Sequence, residues 1–215
     1  MNIKAKSLSE AWFNILYHLP ECVYKQNIDR GSFAGGFRLQ LPWLSLEVEQ
    51  YEIDTIPIMP EGRQLEPPTT REYVEKYALD YLLHSGQRSQ LGEAYTYASR
   101  MAENDQFSKV MEMLKRTPQT NQATIEIGRP CDIDLSDPAC CRVVDFKIVD
   151  GKLNVSVFFR SWDIYFGLPS NLAGFAIISQ GIAAGLEIPT GSMFAASPGA
   201  HIYHYQLDTW QALMG

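Results

Sequence analysis

Residues Asn171 to Leu186 are apolar on nearly every side and rich in Ala and Gly. A helix of that composition has no wet face, so it must lie between layers, and its small residues let a neighbouring sheet approach closely. The chain therefore needs a second layer. Immediately upstream, Val143 to Val149 and Leu153 to Phe159 flank Asp150-Gly151, a pair that tolerates positive φ in a tight turn. Together these stretches predict a hairpin covered by a central helix, and hence an α/β (α+β) fold with a mixed sheet packed on helices.

The other segments fit that plan. Ser9 before Glu10, Ala11, Trp12, Ile15 and Leu16 reads as the cap of a first helix that stops before Pro20. Short strands are expected between Ile28 and Ile58, joined by a glycine-rich bend at Gly35-Gly36. Thr70 caps a second helix ending near Gly86, and Gln106 to Lys115 places Phe107, Val110, Met111 and Leu114 on one helical face. Ala123 to Ile127 alternates as a strand, and Met193 to Tyr205 returns to short strands. With 215 residues, 46% of them hydrophobic, and no internal repeat, residues 1–215 are expected to form one domain.

The net charge of −7 argues against general binding to nucleic acid or a membrane surface, while leaving room for a local cationic pocket. No apolar run reaches the roughly 18 to 20 residues of a membrane span, and Met1 to Glu10 lacks the core of a secretion signal, so a cytoplasmic location is expected. Four cysteines (Cys22, Cys131, Cys140, Cys141) are too few for a disulfide scaffold and show no zinc-site spacing, so no metal is expected.

Adjacent Cys140 and Cys141 follow Asp137-Pro138-Ala139 at the entry to the hairpin, where a thiol serves either as a small buried hydrophobe or as an exposed nucleophile. Arg160-Ser161-Trp162-Asp163 closes the second hairpin strand, and reads as an ion pair at a strand end or as a fork of donors for a phosphate. In His201-Ile202-Tyr203 the two polar residues share one face of a strand, for hydrogen bonding or for one ligand. Gly31 to Gly36 lacks the strand and helix of a nucleotide loop, and Tyr95-Thr96-Tyr97 by itself reads as packing.

The order of these pieces carries more than any one of them. Asp137-Pro138-Ala139-Cys140, Asp150-Gly151-Lys152-Leu153, Arg160-Ser161-Trp162-Asp163, Gly167-Leu168-Pro169-Ser170-Asn171-Leu172-Ala173 and His201-Ile202-Tyr203 together resemble the thymidylate synthase family from about Ile133 to Tyr205. Thr120-Asn121-Gln122-Ala123 is similar to the compact archaeal and phage-type members, with a thinner resemblance at Asp29-Arg30-Gly31-Ser32 and Tyr95-Thr96-Tyr97.

The resemblance implies a homodimer with sheets packed face to face, a pyrimidine nucleotide monophosphate as substrate and 5,10-methylenetetrahydrofolate as co-substrate. It gives Cys140 the nucleophile's place at C6 of the pyrimidine, with Arg160 lowering its pKa and, with Ser161 and Arg30, holding the phosphate. Asn171 takes the base-reading place, where one donor and one acceptor suit the N3–H and O4 of uracil, so dUMP is favoured over dCMP. His201 and Tyr203 are expected on the ribose hydroxyl, Asp163 on the base and the folate pterin, and Tyr97 at proton removal from C5. Glu75 and Asp80 are candidates for a carboxylate that organises water.

Departures from the family pattern are Ala139 and Cys141 around the nucleophile, and Asn121 and Gln122 where many members donate an arginine pair across the dimer. Only 14 residues follow His201, so closure over folate is expected to differ from that of the bacterial enzymes. A methyl product is the leading expectation, with a 5-hydroxymethylase and a non-catalytic nucleotide-binding relative as alternatives.

Overall fold

The computed structural model describes residues 1–29, 33–62, 65–84 and 95–215. Its strands and helices run β1 (Asn2–Ala5), α1 (Leu8–His18), β2 (Tyr24–Asn27), β3 (Phe37–Gln40), β4 (Leu44–Val48), α2 (Arg71–Tyr77), α3 (Tyr97–Met101) and α4 (Gln106–Arg116). There follow β5 (Thr124–Glu126), β6 (Cys141–Val149), β7 (Lys152–Phe159), β8 (Trp162–Asp163), α5 (Gly167–Leu186), β9 (Thr190–Ser197), β10 (Ala200–Tyr203) and α6 (Leu207–Met214). One sheet has the order β1-β4-β9-β7-β6-β5 and a second the order β2-β3-β10-β8; both mix parallel and antiparallel pairs, as the sequence predicts.

The hairpin forms as read. Asp150 and Gly151 turn with φ of 50° and 73°, and β7 buries Val155, Val157 and Phe159 against the core while Asn154, Ser156 and Phe158 face outward. α5 is the central helix, packed on α1, α2 and α4 on one side and on β7, β8 and β9 on the other. It starts at Gly167, four residues earlier than the apolar run, because Pro169 falls in the first turn where its missing N–H costs no bond; just before it the Asp163 carboxylate accepts from the Tyr165 N–H at 2.9 Å and shapes the turn into the helix. At Gly174 an added Cβ would lie 2.8–2.9 Å from Leu82 and Tyr77, so this glycine permits the close approach of α2 and α5.

The first helix is capped by Ser7 rather than Ser9. The Ser7 Oγ accepts from the Glu10 N–H at 3.3 Å, while the Ser9 hydroxyl accepts from the Ile58 N–H at 3.0 Å. α2 continues as a π-helical turn, Ala78–Leu83; Gly86, where the sequence reading ended it, lies outside the described residues. β1 and β2 escape sequence reading because both are short and β2 is exposed throughout, leaving no alternation to detect. Among the described residues no helix is long and apolar enough to cross a membrane.

Candidate active site

Cys140 stands one residue before β6, and the two cysteines point opposite ways. Cys141 is fully buried, its N–H donating to the Tyr97 hydroxyl at 3.0 Å, whereas Cys140 is half-buried at the rim of a cavity. A bulge between Cys141 and Val143 sets this aim, since β6 carries an extra residue there relative to β7. The Arg160 N–H donates to the Cys140 carbonyl at 2.8 Å and fastens the two hairpin ends. The cavity encloses about 790 Å³, and its lining includes Cys140, Arg160, Ser161, Tyr203, Arg38 and Asp137. Four residues singled out from the sequence thus meet across 63 positions of chain, just before β6, between β7 and β8, and on β10.

The guanidinium of Arg160 lies along the cysteine loop. Its Nε donates to the Ala139 carbonyl at 3.2 Å, and one Nη donates to the Pro138 carbonyl and to Asp137 at 3.4 Å. Burial pushes the Cys140 thiol up; Arg160 pulls it down and Asp137 pushes it up again, so the expected lowering by Arg160 is present but outweighed by desolvation. Close approach of β10 to this corner depends on Gly199, where a Cβ would lie 2.6 Å from the Arg160 carbonyl oxygen.

His201 and Tyr203 lie on one face of β10, their rings edge-to-face at 4.5 Å. Tyr203 reaches the cavity; His201, only 1% exposed, sits behind it. The His201 Nδ1 is 2.8 Å from the Gly199 carbonyl, which can only accept, so the proton is on Nδ1 and Nε2 presents a lone pair. Burial lowers the ring's pKa to about 4, and it is neutral at pH 7.

Asn171, Asp163 and Tyr97 are not among the cavity-lining residues. The half-buried Asn171 carboxamide accepts from the Trp162 indole N–H at 3.0 Å and donates to the Tyr77 hydroxyl at 2.8 Å. Asp163 Oδ1 accepts from the Tyr165 N–H at 2.9 Å, and both its oxygens accept from the Gln206 amide at 3.0–3.1 Å; burial raises its pKa against these bonds. Tyr97, buried beside Tyr81, keeps its hydroxyl on the Cys141 N–H, and burial holds that phenol well above its ordinary value. Arg30 lies outside the described residues. Glu75 is exposed, Asp80 is half-buried, and neither lines the cavity.

Three contributors escape the sequence reading. Arg38 lines the cavity from β3, and its Nε is buried with no hydrogen-bond partner among the described residues. The alternation of Phe37, Leu39 and Leu41 does put Arg38 on the other face of its strand, but nothing local shows that this face meets β10. Gln206 ties Asp163 to β10 by accepting from the Tyr203 N–H at 2.7 Å. Asp132, 1% exposed, accepts from Arg100 at 2.7 Å, from Arg142 at 2.9 Å and from the Arg129 N–H at 2.9 Å; burial opposes its charge, yet these donors hold it below the usual carboxylate range. Arg142 also donates to the Ala139 carbonyl at 3.3 Å, which links Asp132 to the cysteine loop.

A thiol, two guanidiniums, a serine and a tyrosine around one cavity suit covalent chemistry on an anionic substrate of nucleotide size. Comparison with known proteins points the same way. A family model described as thymidylate synthase matches residues 70–215. The "Putative thymidylate synthase" of Methanosarcina acetivorans is 29% identical over 214 residues, covering 96% of this chain and 91% of that protein. A thymidylate synthase of Listeria monocytogenes is 30% identical over 105 residues, 48% of this chain and 33% of its own length. The solved structure of thermostable thymidylate synthase A from Bacillus subtilis superposes with a TM-score of 0.76 at 15% identity, over 97% of this chain and 84% of that one, which speaks for a common fold.

Proposed function

The chain belongs to the thymidylate synthase family, a family of one-carbon transferases that bind a nucleotide and use methylenetetrahydrofolate, and from that premise we propose that it transfers a one-carbon unit to C5 of dUMP and gives dTMP. The observation that carries this reading is the meeting of the Cys140 thiol with Arg160, Ser161 and Tyr203 on one cavity of about 790 Å³.

Arg160 and Ser161, with Arg30, hold the phosphate, and Tyr203 with the Nε2 lone pair of His201 takes the ribose hydroxyl. The Cys140 thiolate adds to C6, forming a C–S bond as the C5=C6 double bond opens, and C5 becomes the nucleophile. Methylenetetrahydrofolate supplies the carbon and the reducing equivalents when bound. Asp163 suits its pterin edge because a carboxylate offers several lone pairs, and those beyond its bonds to Gln206 and the backbone can accept from N–H donors. Tyr97, next to Cys141, assists removal of the C5 proton. The C–S bond then breaks, C5=C6 re-forms and the thiolate returns to Cys140.

Burial raises the Cys140 thiol's pKa, and Arg160 is the neighbour that most favours its thiolate form. Residues 1–215 act as one unit, and a homodimer would pack through the outer sheet face, where Trp43, Phe158 and Phe194 are left uncovered by helices.

Incubation with dUMP and methylenetetrahydrofolate, with mass spectrometry of nucleotide and protein, tests the reading. A methyl product and a covalent adduct on Cys140 with a 5-fluoro analogue are expected. Hydroxymethyl-dUMP would assign the chain to the hydroxymethylases. Cys140→Ala is expected to abolish turnover while nucleotide binding persists; a loss confined to Cys141→Ala would sink the assignment.

A further inference from the structure

We propose that Trp162 sets the base specificity of the site, its indole N–H locking the Asn171 carboxamide in one of two orientations. This rests on the reading of Asn171 as the residue that faces the base. A carboxamide is nearly symmetric in shape, and a half-turn about its last bond exchanges donor and acceptor. Uracil presents N3–H and O4, a donor and an acceptor; cytosine presents N3 and the 4-amino group, the same positions with the roles reversed. With C6 fixed at Cys140 the base cannot turn over, so a free carboxamide serves both bases by turning itself. Specificity then depends on what stops that turn.

Among the described residues, two groups hold the carboxamide. The Tyr77 hydroxyl, 2.8 Å from Nδ2, both donates and accepts and would satisfy either orientation. The Trp162 Nε1–H, 3.0 Å from Oδ1, only donates, so the half-turned carboxamide would set N–H against N–H. Trp162 cannot retreat. It is 2% exposed, stacked on Phe159 at 4.4 Å with planes 4° apart, and its own backbone N–H is held by the Gly199 carbonyl at 3.1 Å. After these two bonds Asn171 retains one N–H and one oxygen lone pair, a fixed complement to one pyrimidine edge and a mismatch to the other, where buried polar groups left unpaired weigh heavily.

The test is competitive binding of dUMP and dCMP to the wild-type protein, Asn171→Ala, Trp162→Phe and Trp162→Met, read as the ratio of dissociation constants within each preparation. Such a ratio is insensitive to the fraction folded, and the flexible methionine provides a second core background if the phenylalanine variant fails. The wild type is expected to prefer dUMP by at least about tenfold, Asn171→Ala to bring the ratio near one, and the Trp162 variants to lower it about tenfold. A wild type that binds both nucleotides equally overturns the lock without any variant. A preference lost in Asn171→Ala but kept in the Trp162 variants overturns the lock and leaves the base-reading role standing. A preference that survives Asn171→Ala removes the base-reading role, and the lock with it.

Discussion

On the Cys140 side of the cavity the polar groups are mostly tied to one another: Arg160 to Ala139, Pro138 and Asp137, Arg142 to Ala139 and Asp132, and Asp132 to Arg100 and Arg129, with one buried Arg100 Nη left without a partner among the described residues. On the β3–β10 side, Arg38 Nε, Gln40 Oε1 and His201 Nε2 are buried with no hydrogen-bond partner among the described residues. A buried polar group without a protein partner is costly and is satisfied by water, an ion or a ligand. The first side is therefore largely assembled by the protein itself around the Cys140 loop. The second holds an unmet bonding capacity, with Arg38 opposite Tyr203 and Gln40 opposite His201 in the strand register. The two sides are therefore expected to respond to different perturbations, the first in stability and thiol reactivity, the second in pH dependence and affinity.

The largest effect is expected on the preassembled side. Asp132→Asn removes the charge that offsets Arg100, itself 6% exposed, and leaves a buried guanidinium uncompensated. Breaking such a pair costs about 3–5 kcal/mol, which urea unfolding would report as a large fall in midpoint. A change below about 1 kcal/mol would mean that the network is not structural.

Next in size is a pH effect from the unsatisfied side. In the unfolded chain His201 takes up a proton below about pH 6.5, whereas in the folded protein burial keeps it neutral down to about 4. Unfolded molecules therefore bind more protons in that window, and stability falls as pH falls through it, by about 3 kcal/mol in total. His201→Gln is expected to flatten this slope between pH 6.5 and 4, and an unchanged slope in the variant would assign the titration elsewhere.

Arg38 gives a smaller, ligand-dependent effect. It places a second guanidinium on the same cavity as Arg160, while Asn121 and Gln122 stand where the resemblance leads one to expect arginines. Arg38→Gln is expected to weaken dUMP about tenfold while changing deoxyuridine little, since a charge-assisted bond to phosphate is worth about 1.5–3 kcal/mol and part is recovered by the amide. Equal losses for nucleotide and nucleoside would place Arg38 on the sugar or in the fold.

How much of this was legible follows from which forces are local. The β6–β7 hairpin and α5 announce themselves through turn chemistry and composition, and they carry Cys140, Arg160, Ser161 and Asn171. The resemblance of ordered motifs then joined His201 and Tyr203 to them. What stayed hidden depends on distant pairing. Arg38 reaches the site only because β3 pairs with β10, more than 160 positions away, and Trp162 is informative only through its contact with Asn171. Asp132 inverts the local pattern outright. Ile133 is 86% exposed while its acidic neighbour is buried, because two arginines from other segments supply what an apolar core would otherwise demand.

The smallest effect discriminates most finely, because it asks whether the ties around Cys140 tune its thiol or merely hold its loop. Alkylation proceeds through the thiolate, so the rate at fixed pH below the thiol's pKa follows the thiolate fraction. Arg160 lowers the Cys140 pKa and Asp137 raises it. Arg160→Gln is therefore expected to slow iodoacetamide severalfold at neutral pH, with the midpoint of the pH profile moving upward, while Asp137→Asn moves both in the opposite direction. A purely structural role would loosen the loop in either variant and speed both reactions by exposing the sulfur. Opposite signs from two partners of one ion pair, 3.4 Å apart, thus require electrostatic control of the thiol, and equal signs would reduce this side of the cavity to scaffolding.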